Sequence, residues 1–185
     1  MELNTNTVKC ALPRNPGKLF MLVVIMIYLS CPTTTFAQWT VNSNIKNETG
    51  IQTSVAYTSN DEGYTLEIYK DSSSAIRSRF TLNDKLVKFK DDNCPTYQVD
   101  QGTPANLSVN GAPCLSNGSW AEYILGNIDG EKITSATLLS IMNGITMTFR
   151  FQLENGDYRE TAISLSGSKR SMTMVIGETI IVRAR

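Results

Sequence analysis

Apolar and polar residues alternate with a period of two along much of the chain after residue 50, and this period is typical of half-buried β-strands. The clearest examples are "YTLEIYK" at 64–70 and "IRSRFTL" at 76–82. In the second segment Arg77 and Arg79 occupy the polar face, opposite the apolar residues. Polar turn clusters separate these segments, so the pattern predicts a β-sandwich or a β-barrel.

Two further segments predict strands by the same pattern. In "IQTSVAY" at 51–57 the alternation places Val55 and Tyr57 on the apolar face. In "LVKFK" at 86–90 it places Phe89 on the apolar face, opposite lysines.

The segment "ITMTFRFQLENGDYRETAISL" at 145–165 predicts a β-hairpin, because its alternation is unbroken up to an Asn-Gly turn. A two-residue loop would mix the apolar and polar faces of the paired strands. A three-residue loop with Gly156 left-handed instead places Met147 opposite Ile163 and Arg150 opposite Glu160. We therefore predict the second register, since a one-residue shift exchanges the faces.

The segment "DGEKITSATLLSIMNG" interrupts the strand pattern. Asp129 is a suitable N-cap and Gly144 a suitable C-terminal stop, so the segment predicts one short helix at about 130–143.

Residues 1–37 have the features of a cleaved signal peptide. The apolar run Leu19–Leu29 has 11 residues, whereas a membrane-spanning helix needs roughly 20. Basic residues precede this run, and a small residue, Ala37, ends an acceptable cleavage site. We expect cleavage after Ala37 and one domain at 38–185, with no transmembrane span. The alternative is lipidation at Cys31, which would give a membrane-anchored lipoprotein.

Loss of the leader changes the charge and the cysteine count. The leader contains three of the 17 basic and one of the 17 acidic residues, so 14 basic and 16 acidic residues remain, a net charge of −2. This balance gives no electrostatic basis for nucleic-acid binding. The remaining pair, Cys94 and Cys114, predicts one disulfide in an exported chain, the alternative being two buried thiols. The sequence has no His, and two cysteines do not complete a metal site.

Few residues suggest catalysis. Ser166 and Lys169 match the S-x-x-K pattern of acylating serine enzymes. The partner motifs of such a site are missing, and Ser166 falls in a predicted turn, so a chance match is the preferred interpretation.

The chain from residue 94 onward contains an ordered set of motifs. "TYQVDQG" at 96–102 is followed by "NGAPCLSNGSWAEYIL" at 110–125, a short helical piece ending in "MNG", a long strand, and "ETAISLSGSKRSM" at 160–172. Together with Trp39 near the expected mature N-terminus, this order resembles the invasion-associated locus B (IalB) family of exported Gram-negative bacterial proteins. The family usually has more cysteines, so its disulfide arrangement does not carry over to this chain.

The resemblance implies an all-β, immunoglobulin-like β-sandwich, export to the periplasm or envelope, and in some members a link to host-cell invasion and virulence. It supplies no catalytic residues. We therefore expect a periplasmic or secreted, non-catalytic binding or accessory protein without cofactor or metal, whose protein partner lies in the envelope or on a host cell. The alternatives are a structural envelope protein with a bacterial protein partner, and a serine hydrolase that uses Ser166 and Lys169.

Overall fold

Strands dominate the part of the chain that the computed structural model describes, which is residues 38–46, 52–90 and 93–184. The strands are β1 Thr40–Lys46, β2 Gln52–Ser59, β3 Thr65–Lys70, β4 Ala75–Thr81, β5 Thr96–Val99, β6 Leu115–Ser116, β7 Trp120–Asp129, β8 Lys132–Thr134, β9 Thr146–Gln152, β10 Tyr158–Ser164 and β11 Ile181–Arg183. The helices are α1 Ala136–Asn143 and α2 Ser168–Ile176. The predicted signal peptide and the alternative lipidation site at Cys31 lie outside the described residues.

The larger of the two sheets has the strand order β1-β2-β3-β4-β7-β8-β11, and β6 also pairs with β7. Its neighbouring strands are antiparallel except β8 and β11, which are parallel. The smaller sheet has the order β10-β9-β5. One face of the larger sheet packs on the smaller sheet and the helices, and its opposite face is the outer face discussed below.

The β9–β10 hairpin confirms the predicted register. Met147 pairs with Ile163 and Arg150 pairs with Glu160 across the two strands. Gly156 has a φ of 90°, so the turn uses the left-handed conformation that glycine adopts without strain.

Aromatic rings join the two sheets in the core. The rings of Phe80 from β4 and Phe149 from β9 are stacked with centroids 4.1 Å apart. Phe89 and Phe151 pack edge to face beside them, at 5.4 Å. Such ring pairs contribute about 0.5–1.5 kcal/mol each beyond the burial of their area. This face-to-face packing is a β-sandwich, which confirms the predicted all-β fold class.

The helical content differs from the single helix predicted at about 130–143. Residues 132–134 form β8, where Ile133 is fully buried, and α1 begins only at Ala136. Ser135, not Asp129, is the N-cap, and its hydroxyl accepts a hydrogen bond from the Leu138 amide at 3.0 Å. The second helix, α2, was not predicted. It buries an apolar stripe against the core side of β1, β2 and β3.

Two strand predictions also need correction. In β2 it is Ala56 and Thr58 that face the core, at 0% and 1% exposure, whereas Tyr57 lies on the opposite face. The segment 86–90 forms no strand, and only an isolated bridge between Phe89 and Leu153 joins it to a sheet.

Residues that carried the family resemblance have structural roles. The Trp39 indole donates to the Ser164 carbonyl at 3.1 Å and so occupies a backbone acceptor of the strand β10. Asp100 has a φ of 48°, and its carboxylate accepts hydrogen bonds from the amides of Ile145 and Thr146. These bonds fix the end of β5 against the start of β9.

The predicted disulfide between Cys94 and Cys114 is present. It closes a segment that runs from the smaller sheet to β6 of the larger one. A disulfide is typical of proteins that fold outside the cytoplasm. Within the described ranges, no helix has the length and hydropathy needed to cross a membrane.

Candidate functional site

The outer face of the larger sheet presents an ordered set of charged and aromatic side chains. We define this outer face by nine residues of β3, β4 and β7 and one of β2: Tyr57, Thr65, Glu67, Tyr69, Arg77, Arg79, Thr81, Trp120, Glu122 and Ile124. Their shared face follows from strand register, because directly paired residues of neighbouring strands project to the same side. The central row runs Tyr57, Glu67, Arg79, Glu122 across the four strands.

Glu122 is the centre of a hydrogen-bond network on this face. Its side chain is 6% exposed. The carboxylate accepts from Arg77 Nη1 at 2.9 Å, from Arg79 Nη2 at 3.0 Å and Nε at 3.2 Å, and from the Tyr69 hydroxyl. A buried carboxylate needs such partners, since an unpaired one would lose its hydration without compensation.

Arg79 is held between two aromatic rings. Its guanidinium carbon lies 5.3 Å from the Tyr69 ring centroid and 4.8 Å from that of Trp120. Both distances are within the range of cation–π attraction. The Arg79 Nη2 also donates to the Tyr69 hydroxyl at 3.0 Å. Contacts to Glu122 and to both rings therefore fix the guanidinium in one place on the sheet.

A second carboxylate, Asp71, closes the network at the turn between β3 and β4. It accepts from Arg77 Nε at 2.6 Å, from the Ala75 amide, and from the amide and hydroxyl of Ser73. Burial alone would raise the pKa of Asp71. The hydrogen bonds from Ser73, Arg77 and Ala75 outweigh burial and lower this pKa below its ordinary value.

The two acidic groups Tyr69 and Glu67 on this face have raised pKa values. Burial and the hydrogen bond to Glu122 raise the pKa of the Tyr69 phenol, so the ring keeps its proton and continues to donate to Glu122. Burial raises the pKa of Glu67, an effect that Arg79 opposes and Glu122 reinforces. Glu67 is thus the less favourably placed carboxylate of this face.

Sequence reasoning identified Arg77 and Arg79 only as a polar strand face and did not single out Glu122. The two arginines and Glu122 are more than 40 residues apart, and only the pairing of β4 with β7 brings them together. The available signal was a single Glu within the apolar segment "WAEYIL" of β7.

The alternative catalytic pair is not assembled in the described part of the chain. Ser166 lies exposed in the turn before α2, and no hydrogen bond joins it to Lys169. The Lys169 ammonium instead contacts the Asn143 side-chain oxygen at 3.3 Å. The other serine of the motif, Ser168, is buried and donates to the Ile141 carbonyl.

An open cleft of about 370 Å³ lies where the turn after β2 meets β10. Its polar groups bond to one another across the two sheets. Asn60 Nδ2 donates to Thr161 Oγ1 at 2.7 Å and to the Ala162 carbonyl at 3.1 Å, and Thr161 donates to Glu62. No group of three or more Asp, Glu, Cys or His residues suited to a metal ion occurs in the ranges that the structure describes.

Comparison with models of known protein families, with curated proteins and with solved structures finds no match to this chain. The assignment of a site therefore depends on the geometry of the outer face itself.

Proposed function

We propose that this protein is an exported, non-catalytic binding module of the bacterial envelope that holds a protein partner on its outer face. The observation that carries the proposal is the fixed position of Arg79 between Tyr69 and Trp120 on the half-buried outer face. Trp, Tyr and Arg are the residue types that dominate binding energy at protein–protein interfaces. Side chains that are ordered before binding lose less conformational entropy when a partner docks.

Export is supported by three observations of different kinds. The chain carries a disulfide, its first 37 residues have the pattern of a signal peptide, and its motif order resembles the invasion-associated locus B family. We propose the periplasm or the exterior as the final location, with cleavage after Ala37. Intact mass of the protein from the producing cell tests this, since lipidation at Cys31 would instead add a diacylglyceryl mass.

The binding proposal is tested with paired tyrosine variants. Tyr57→Ala removes a ring from the outer face, and Tyr158→Ala, the matched control, removes a 67%-exposed ring from β10 in the other sheet. Each variant is cross-linked to proteins of envelope and host-membrane extracts, and the affinity for the recovered partner is then measured with purified components.

We expect Tyr57→Ala to weaken binding roughly tenfold, which is the effect of losing an interface hot spot, and Tyr158→Ala to leave it unchanged. Trp120→Ala should behave like Tyr57→Ala. A partner whose affinity depends on Tyr158 and on neither outer-face ring would contradict the proposed surface. A partner drawn from the bacterial envelope would favour a structural role, and one from host membranes a role in host contact.

A further inference from the structure

The outer face together with Asp71 at its edge has one more negative than positive charge, and the least well paired carboxylate is that of Glu67. Three carboxylates, those of Glu67, Asp71 and Glu122, face two guanidiniums, those of Arg77 and Arg79. Close hydrogen bonds assign both guanidiniums to Asp71 and Glu122. Glu67 therefore shares the Arg79 guanidinium with Glu122 and has the weaker of the two contacts.

The contacts of Glu67 differ from those of the other two carboxylates. Asp71 and Glu122 each accept four hydrogen bonds. Among the described residues no hydrogen bond reaches the Glu67 carboxylate, and its nearest cationic nitrogen is Arg79 Nη1 at 3.8 Å. Its side chain is only 28% exposed, so water solvates it incompletely. Burial raises the pKa of Glu67, which is the expected effect of this incomplete solvation.

The surroundings of Glu67 suit a cationic side chain. Tyr57 is its direct cross-strand neighbour on β2, and Tyr69 lies two residues along β3 on the same face. An aromatic ring beside a carboxylate attracts a cation both through the ring quadrupole and through the charge. Arg79 already forms a loose ion pair with Glu67 at 3.8 Å but donates no hydrogen bond to it, so the oxygens of this carboxylate are left to accept hydrogen bonds from a docked cation.

We propose that Glu67, with Tyr57 beside it, is the docking point for an Arg or Lys side chain of the protein partner. This inference rests on the proposed function and specifies its partner: a protein segment with a basic side chain placed to reach the centre of the sheet face. The basic group balances the charge of the outer face and Asp71 taken together, and the rings around it supply the apolar contact area.

Nuclear magnetic resonance titration of the isotope-labelled exported protein tests the docking point. The probes are the blocked peptides acetyl-Gly-Arg-Gly-amide and acetyl-Gly-Lys-Gly-amide, with acetyl-Gly-Glu-Gly-amide as the charge-reversed control. We expect the basic peptides to shift the amide resonances of Tyr57, Glu67 and Arg79 in a saturable manner, and the acidic peptide to leave them unchanged. Shifts that are absent, or that the acidic peptide reproduces, would overturn the proposal.

Two isosteric variants make the test specific. Glu67→Gln should abolish the shifts, whereas Glu160→Gln, which changes a carboxylate on the other sheet, should leave them in place. Resonance dispersion in the free variants verifies that both remain folded. Persistence of the shifts in Glu67→Gln, or self-association through this face without peptide binding, would refute the docking point.

The recovered partner separates this inference from the broader proposal. Glu67→Gln is expected to weaken partner binding roughly tenfold, and Glu67→Lys more strongly, because it places like charges together. If Tyr57→Ala weakens the complex and Glu67→Gln does not, the outer face binds the partner without a basic anchor. If neither variant has an effect, the proposed function itself fails.

Discussion

Replacement of Glu122 by Ala should destabilise the fold far more than removal of an exposed carboxylate. The change deprives Arg77, Arg79 and Tyr69 of their shared acceptor. An unsatisfied buried polar group costs about 1–3 kcal/mol, and charged groups cost more. The side chains of Arg77 and Arg79 are 21% and 35% exposed, so water recovers part of their solvation. We therefore expect a total loss of about 2–3 kcal/mol in the free energy of unfolding.

Urea unfolding followed by circular dichroism measures this loss. With a slope of about 1.5 kcal/mol per molar urea, a loss of about 2 kcal/mol lowers the midpoint by about 1.3 M. The matched control is Glu160→Ala, which removes the carboxylate of another cross-strand Arg–Glu pair. Glu160 is 56% exposed, so its pair with Arg150 contributes about 0–1 kcal/mol.

Equal losses of unfolding free energy for Glu122→Ala and Glu160→Ala would refute the reasoning. They would show that the burial of Glu122 does not strengthen its interactions with the arginines. A double-mutant cycle with Arg79→Met provides a second measurement. The interaction energy between Glu122 and Arg79 should exceed that between Glu160 and Arg150, since only the former pair is desolvated and shares further partners.

Three further predictions concern stability. Asp71→Asn should lower the free energy of unfolding by about 1 kcal/mol at pH 7. The lowered pKa of Asp71 stabilises the folded state at pH values above the unfolded-state pKa of about 3.9. This stabilisation is lost as the pH falls towards the folded-state pKa. In urea titrations below about pH 4, the stability of Asp71→Asn should therefore depend less on pH than that of the parent. Thr58→Val should stabilise the protein by about 1 kcal/mol in the same assay, because the buried Thr58 hydroxyl has no partner among the described residues. Gly126→Ala should cost about 1–3 kcal/mol, since its Cβ would lie 2.7 Å from Ile133 Cγ2, and a melting temperature equal to that of the parent would contradict this steric argument.

The sequence predicted those features that depend on local pattern. The β9–β10 hairpin was correct to the residue because a single turn and an unbroken alternation specify its register. The predicted core face of β2 was wrong because the residues that face the core, Ala56 and Thr58, are small and one of them is polar, whereas the larger Val55 and Tyr57 lie on the other side. Alternation alone does not say which face the second layer covers. The helix prediction at 130–143 overlooked the turn at Gly130, after which Ile133 completes the core as a strand residue.

The outer face could not be predicted in the same way, because its network depends on pairing between distant strands. The pattern placed Arg77 and Arg79 on the face opposite the apolar residues of β4, which is correct. It could not show that a Glu from β7 would lie directly opposite Arg79. Tyr57, which the sequence pattern assigned to the core, belongs to this outer face. The position where the alternation pattern failed is therefore part of the candidate site.

The Glu122 network is better explained by the order that it imposes than by the stability that it adds. Apolar residues of similar volume often replace buried ion pairs at no cost in stability, so stability alone does not require this arrangement. An arginine side chain carries about 2 kcal/mol of rotamer entropy, and a partner that docks on a free arginine must overcome much of it. Glu122, Tyr69 and Trp120 fix Arg79 during folding. Glu122→Gln, which preserves side-chain volume and one acceptor oxygen, should therefore reduce partner affinity by a larger factor than it reduces the folding equilibrium constant.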